Sequence, residues 1–230
     1  MCSNYEPVTS EDRMLAHFGV VRPKGEIPID SYPGYLAPLI RRAPNVAEQE
    51  SEAKLGRYGL LPAWAKDMAL GRRTYNCRSE TAATLPSFRD AWRRGQRCIV
   101  PAEAIYEPSY ETGRAVRWRI GRRDGRPLGI AGLWDWWTNR ATGEAVLSFT
   151  MLTVNADDHA LMKRFHKPGE EKRMVVILDE DEYDAWLDCP VDHMAGFMRQ
   201  FPADRLEAMP WPRDMRGGMG VPGGATGELF

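Results

Sequence analysis

Cys2 stands directly behind Met1, so removal of the methionine would leave an amine and a thiol on adjacent carbons. That pair is a trap for aldehydes. An α-amine titrates near about pH 8, and its unprotonated fraction condenses with a carbonyl to a Schiff base. The neighbouring thiol can then add to the imine carbon and close a thiazolidine, which protects the adduct from hydrolysis better than an open imine. At position two of an arbitrary chain a cysteine is incidental, so the reading depends on partners elsewhere in the sequence. Cys77, Cys98 and Cys189 form no CxxC pair and no metal-ligand spacing with His17, His159, His166 or His193. Reduced thiols without zinc are expected, and Cys98, in the run Cys98-Ile99-Val100, reads as core filler.

The elements that must hold such a centre come from a chain of 230 residues with 43% hydrophobic content, enough to bury one sizeable core in a single domain. There is no apolar stretch of membrane-spanning length, and an N-terminus carrying Glu6, Glu11 and Asp12 lacks the features of a signal peptide, so a cytoplasmic protein is expected. The formal net charge of -1 hides segregation along the chain. Residues 54–126 hold 16 Lys and Arg against seven acids, whereas 179–192 hold seven acids and no base. One basic face of this kind suits a phosphate backbone, and Tyr58, Trp64, Tyr75 and Trp92 lie in the same stretch, where they could stack on unpaired bases. By residue type each aromatic is equally a core residue, and the Arg93-Arg94-Arg97 group is equally a solvated face.

Local pattern predicts a short helix over Ser10 to Phe18, with Thr9 or Ser10 as its cap, then loop to about residue 53 with one strand near Leu36 to Ile40. Strands are expected at 55–60, 98–106, 116–120, 127–133, 146–154 and 174–178, and helices at 87–94, 156–164, 181–187 and 192–200. Many strands and few long helices define an α+β class. The domain is expected over 1–212, with a Gly-rich, flexible tail over 213–230.

Several short motifs occur in one order: Met1-Cys2, Gly59-Leu60-Leu61-Pro62-x-Trp64, Asn76-x-Arg78-Ser79-Glu80-Thr81 and Arg97-Cys98-Ile99-Val100-Pro101 leading to Tyr106-Glu107. Ala131-Gly132-Leu133-Trp134-Asp135, Phe149-Thr150-x-Leu152-Thr153 and a late His166 follow. In this conjunction the chain resembles the SRAP family, the SOS-response-associated peptidases or abasic-site-processing proteins. The resemblance implies a single domain with a curved, barrel-like mixed β-sheet flanked by short helices. It also implies a sensor that crosslinks to abasic sites in single-stranded DNA through Cys2, with no metal or organic cofactor and no membrane, acting as a monomer. Asn76 would orient the sugar or the amine, Glu107 would be the general acid and base, and His166 would protonate the sugar oxygen or assist reversal. Arg78 would hold a phosphate, with Trp64, Arg89 and Tyr58 as further DNA contacts. The resemblance also implies removal of residues ahead of Cys2, and a Schiff base can lead through β-elimination to weak AP-lyase activity. Here only Met1 precedes Cys2, so an aminopeptidase would suffice.

On residue type alone, Asn76 would cap a turn, Arg78 and Glu80 would form a surface ion pair, and His159 would compete with His166. The chain also departs from the family pattern. It reads Cys2-Ser3-Asn4 for the common Cys-Gly-Arg, Pro108 for the Trp after the catalytic Glu, and Tyr58 for the Trp before Gly-Leu, and it lengthens the segment after His166 by residues 167–172. Two other classes share the opening residues or the charge pattern. An N-terminal-nucleophile amidohydrolase would attack an amide with the Cys2 thiol and release ammonia from glutamine. A non-covalent single-strand DNA binder would need neither Cys2 nor an aldehyde.

Overall fold

The computed structural model describes residues 2–44 and 50–212. Its elements in chain order are β1 (Tyr5–Pro7), α1 (Glu11–Phe18), β2 (Leu36–Arg42), β3 (Ser51–Tyr58), β4 (Asn76–Arg78), α2 (Arg89–Arg93) and β5 (Arg97–Ser109). These are followed by β6 (Val116–Arg122), β7 (Leu128–Thr138), β8 (Ala145–Asn155), β9 (Arg173–Val175), β10 (Ile177–Leu178), α3 (Tyr183–Asp188) and β11 (Leu206–Pro210). The strands run β7-β8-β3-β2-β5, and β5 pairs again with β7, closing a five-stranded barrel. Short strands and helices decorate it, so the α+β class read from the sequence and the barrel implied by the resemblance are the fold observed. Closure matters physically because it leaves these five strands without free edges.

β5 is the backbone of the design. Its 13 residues are almost continuously buried, since it pairs with β1, β2, β6 and β7 along its length. That is why its sequence reads as an apolar run and not as an alternation of inward and outward residues. The seam between β3 and β8 is parallel and short, with Arg57 opposite Ser148 and Tyr58 opposite Phe149. Gly59 then turns the chain off β3 at φ +116, with its N–H on the Phe149 carbonyl. A Cβ there would lie 2.2 Å from the Gly71 carbonyl oxygen, which explains the glycine at the head of the Gly59-Leu60-Leu61-Pro62 motif.

Helix α1 is capped as its sequence suggests: the Ser10 side chain accepts from the Arg13 N–H, Gly19 closes the helix at φ +66, and Met14 faces the core. The expected helix at 156–164 is not formed. His159 Nδ1 accepts the N–H groups of Leu161 and Met162, which replaces the helical ladder with a turn and a short 3₁₀ segment, Met162–Arg164. Residues 191–197 likewise wind as 3₁₀ and not α. The strand expected at 174–178 splits in two at Val176, whose N–H binds the Leu152 carbonyl in β8 while its own carbonyl accepts from Ala131 in β7. The change of partner breaks the strand. The tail expected at 213–230 lies outside the described residues. Gly59→Ala should lower unfolding stability by about 3 kcal/mol in urea titrations, since it combines a left-handed backbone with a clash against main chain.

Candidate active site

The second residue is fastened from several directions. β1 pairs antiparallel with β5, and Tyr5 exchanges both main-chain hydrogen bonds with Ser31, at 3.2 and 2.8 Å. The Asn4 carbonyl accepts from the Tyr106 N–H at 2.9 Å and from Cys2 Sγ at 3.4 Å. Two side chains then hold the Cys2 carbonyl: Asn76 Nδ2 donates at 2.7 Å and the Tyr58 hydroxyl at 2.8 Å. Asn76 is positioned by β4, which lies parallel to β8 with Asn76 opposite Met151. Tyr58 is wedged among aromatic rings, stacked on Phe149 at 5.4 Å and edge-on to Tyr5 at 5.3 Å. The Asn76 amide nitrogen is engaged by Cys2, and its Oδ1 is buried with no hydrogen-bond partner among the described residues. An acceptor in that position can take a hydrogen bond from the Cys2 amine or from a sugar hydroxyl, which orients either group without deprotonating it.

Glu107, on β5 and 2% exposed, faces His166 with Oε2 3.0 Å from Nε2. The contact has the distance of an ion pair without the alignment of a hydrogen bond. His166 reaches this place through an unusual backbone. Its φ of +65 is the one positive value outside glycine among the described residues. Such a conformation costs on the order of 1 kcal/mol or more and persists where surrounding contacts impose it. Here its N–H donates to the Pro108 carbonyl at 2.9 Å, and Phe165 bridges to Ser109, so two main-chain links pin the segment to β5 directly beyond Glu107. His159, the competing histidine, caps main-chain N–H groups with Nδ1 and meets the Phe201 carbonyl through Nε2 at 2.8 Å, so its ring is a structural fastener.

The electrostatics follow from this burial. The Cys2 thiol is pushed far above its ordinary range, first by desolvation and then by the charge of Glu107. Burial also raises the Tyr58 hydroxyl well above the usual phenol value, with the nearby Cys2 adding to it. At neutral pH the sulfur is therefore a protonated thiol, and any step that uses it as a nucleophile requires a proton acceptor close by.

The residues expected to meet DNA separate into different surroundings. Arg78 is half exposed, with Nη1 2.8 Å from Glu171. Glu171 is shared with Arg173, and Arg173, almost completely buried, also binds Glu80 and the Thr153 carbonyl, which ties the Asn76-x-Arg78-Ser79-Glu80 segment to β8. Trp64 is 48% exposed and donates Nε1 to the Pro86 carbonyl at 3.2 Å. Arg89 lies at the surface, 3.5 Å from Asp90. Tyr58 is a correction: completely buried under the aromatic rings, it cannot stack on a base, and its hydroxyl serves Cys2 instead.

Sequence reasoning missed Arg117. It grips Asn4 Oδ1 through Nε at 3.0 Å and Nη2 at 2.7 Å, reaches Asp30 at 2.9 Å, and lies 3.4 Å over the Tyr106 ring. The available signal was the Arg117-x-Arg119 spacing, which puts both guanidiniums on one face of β6, with Arg119 on Glu6 at 3.2 Å. No group of three or more His, Cys, Asp and Glu that could hold a metal ion occurs among the described residues, and no described helix is long and apolar enough to cross a membrane.

This is an α+β barrel protein that seats its second residue between β3, β4 and β5, against an internal carboxylate and imidazole. The chain belongs to the SOS response associated peptidase (SRAP) family, whose model matches residues 1–216. It is 28% identical over 216 residues to the abasic site processing protein YoqW of Bacillus subtilis (strain 168), covering 90% of this chain and 91% of that one. Identity is 30% over 154 residues to the abasic site processing protein HMCES of Gallus gallus, covering 57% of this chain and 44% of that one. A crystal structure of a protein from Bordetella bronchiseptica superposes with a TM-score of 0.84 at 45% identity, covering 91% of this chain and 99% of that one.

The raised thiol makes a testable statement about reactivity. Cys2 should alkylate with iodoacetamide at least about tenfold more slowly than a free thiol at pH 8, and its rate should still be rising at about pH 10, as read by peptide mass mapping. Glu107→Gln removes a negative charge that holds the proton on sulfur, so it should raise the rate at pH 8.

Proposed function

We propose that the protein processes abasic sites in single-stranded DNA by forming a covalent crosslink through Cys2. The observation that carries this reading is the convergence on one residue: the Cys2 carbonyl is held by Asn76 and Tyr58 while its thiol feels the charge of Glu107, which in turn meets His166. The names of YoqW and HMCES as abasic site processing proteins support the substrate class.

In this reading, loss of Met1 frees the Cys2 amine on the residue whose carbonyl Asn76 and Tyr58 hold. An abasic sugar is mostly a closed hemiacetal, and opening it requires a proton on the ring oxygen and loss of one from the C1′ hydroxyl. His166 supplies the first and Glu107 accepts the second. The amine adds to the C1′ aldehyde to give a carbinolamine, which loses water to form the imine. Glu107 then hands the proton it took from C1′ to the imine nitrogen, the thiol sulfur adds to the imine carbon, and the freed carboxylate takes the thiol proton. The thiazolidine forms with release of one water. Two donors fixing the Cys2 carbonyl support this step, because ring closure needs amine and thiol presented to one carbon. Abstraction of the C2′ proton from the imine before ring closure would break the strand by β-elimination, so weak lyase activity is expected.

Denaturing electrophoresis of Met-processed protein with DNA carrying one abasic site tests the reading. A shifted band should require both the abasic site and Cys2. Cys2→Ala should lose the heat-stable adduct, and Cys2→Ser should retain only an imine that borohydride traps; a normal band from Cys2→Ala would sink the proposal. In the same reading Arg78 holds a phosphate, and Glu171 competes for its guanidinium. Exposed pairs of this kind are weak, so Glu171→Gln should tighten single-strand binding by about threefold in fluorescence anisotropy, and Arg78→Ala should abolish that gain.

A further inference from the structure

Both ring nitrogens of His159 are spent on main chain. Nδ1 accepts the N–H groups of Leu161 at 3.2 Å and Met162 at 2.9 Å, and Nε2 lies 2.8 Å from the Phe201 carbonyl. A main-chain N–H can only donate, so Nδ1 is the bare nitrogen and Nε2 carries the hydrogen that goes to Phe201. The ring is 4% exposed, which shields these links from water. From the capped N–H groups the chain makes one short turn before it reaches the site. Arg164 N–H donates to the Leu161 carbonyl at 3.2 Å and Phe165 N–H to the Met162 carbonyl at 3.1 Å, while the fully buried side chains of Met162 and Phe165 fix the turn at both ends. His166 follows directly. Downstream, the Lys172 ammonium donates to the carbonyls of His166 at 3.2 Å and Lys167 at 2.7 Å. Ala156 N–H on the Lys172 carbonyl, at 2.7 Å, and Lys172 N–H on Asp157 Oδ1, at 2.8 Å, close the neck of the loop.

We infer that His159 is a positioning residue for His166: its Nδ1 cap sets the point at which the loop turns back to β5, and with it the left-handed backbone that brings the imidazole against Glu107. The inference rests on the proposed function for the step it serves, proton delivery to the sugar, and on the hydrogen bonds alone for its geometry. A loop closed only at its neck keeps many conformations open to its interior, and a left-handed residue without imposed contacts relaxes to an ordinary φ. Surface contacts of the same segment are too weak to prevent that, since Arg164 and Glu111 pair at 2.9 Å with both side chains exposed. His159 acts from the interior, fixing two consecutive N–H groups with one nitrogen and a distant carbonyl with the other. These two duties are separable. The cap acts along the chain towards His166, whereas the link to Phe201 anchors the ring to the segment that precedes β11.

Asparagine and glutamine separate the duties. Asn Oδ1 stands two bonds from Cβ, as Nδ1 does, and accepts N–H groups in the manner of a helix cap, whereas Gln Nε2 stands three bonds away, as His Nε2 does, and donates. In amide-exchange measurements by NMR on the full chain, His159→Gln should lower the protection of the His166 N–H by about tenfold, and His159→Asn should stay within about threefold of wild type. The Tyr106 N–H on β5 should be unchanged in both. On a true abasic site, His159→Gln should lower the crosslinking rate at saturating DNA by about fivefold with the half-saturating DNA concentration unchanged, and His159→Asn should restore the rate. In a His166→Ala background, His159→Gln should bring no further loss. Unchanged His166 exchange in His159→Gln, equal losses in the two variants, a fall at Tyr106 as large as at His166, or a further loss of rate in the His166→Ala background would each overturn the positioning role. A wild type that forms no crosslink would sink the proposed function together with the step His159 serves, and a crosslinking wild type with an unimpaired His159→Gln would sink the positioning role alone, so the two failures are distinguishable.

Discussion

The site depends on immobilising a chain terminus. Terminal residues normally fray because few contacts oppose their conformational entropy. Here the second residue is 2% exposed, its carbonyl is gripped by Asn76 and Tyr58, and the next residues are paired with β5 and with Ser31. The order of construction follows from that constraint. The aromatic packing of Phe149, Tyr58 and Tyr5 stiffens the floor, the hydroxyl and the amide locate the carbonyl, and the amine and thiol are left as the groups with chemistry still available.

β5 organises the other half. In three successive residues it supplies the Tyr106 N–H that holds Asn4, the Glu107 carboxylate and the Pro108 carbonyl that tethers His166. A one-residue slip of this strand would send Glu107 to the opposite face. Pairing with four neighbouring strands makes such a slip costly, so the carboxylate inherits its position from the barrel. The imidazole is different. It comes from a loop, holds a left-handed backbone and depends on tethers to reach the same point.

Much of the architecture was legible in the sequence, and what escaped has physical causes. The long strands β5, β7 and β8 announce themselves as apolar runs because both faces are covered. β1 and β4 did not, since three residues are too few for any period to emerge, yet β4 carries Asn76 and β1 anchors the segment that bears Cys2. Asp157 and Asp158 suggested a helix start, but a buried histidine satisfied the N–H groups of the next turn more locally. Cys2, Asn76, Glu107 and His166 could be named from motif order, and their convergence could not, because it comes from pairings between distant segments. Tyr58 was misjudged since a tyrosine in a basic stretch has the same composition whether it faces solvent or the interior. Arg117 was overlooked because its partners, Asn4 and Asp30, lie far away along the chain.

The short parallel seam between β3 and β8 has a consequence for dynamics. It is the briefest junction of the barrel wall apart from the single pairing of β2 with β5, and Tyr58 lies at its end, opposite Phe149. Breathing of the wall at that point would draw the phenol hydroxyl away from the Cys2 carbonyl before the longer antiparallel ladders opened. Amide exchange near Gly59 and the mobility of the reactive terminus would then report the same opening event, so the freedom of the N-terminus becomes a measure of how tightly the barrel is closed.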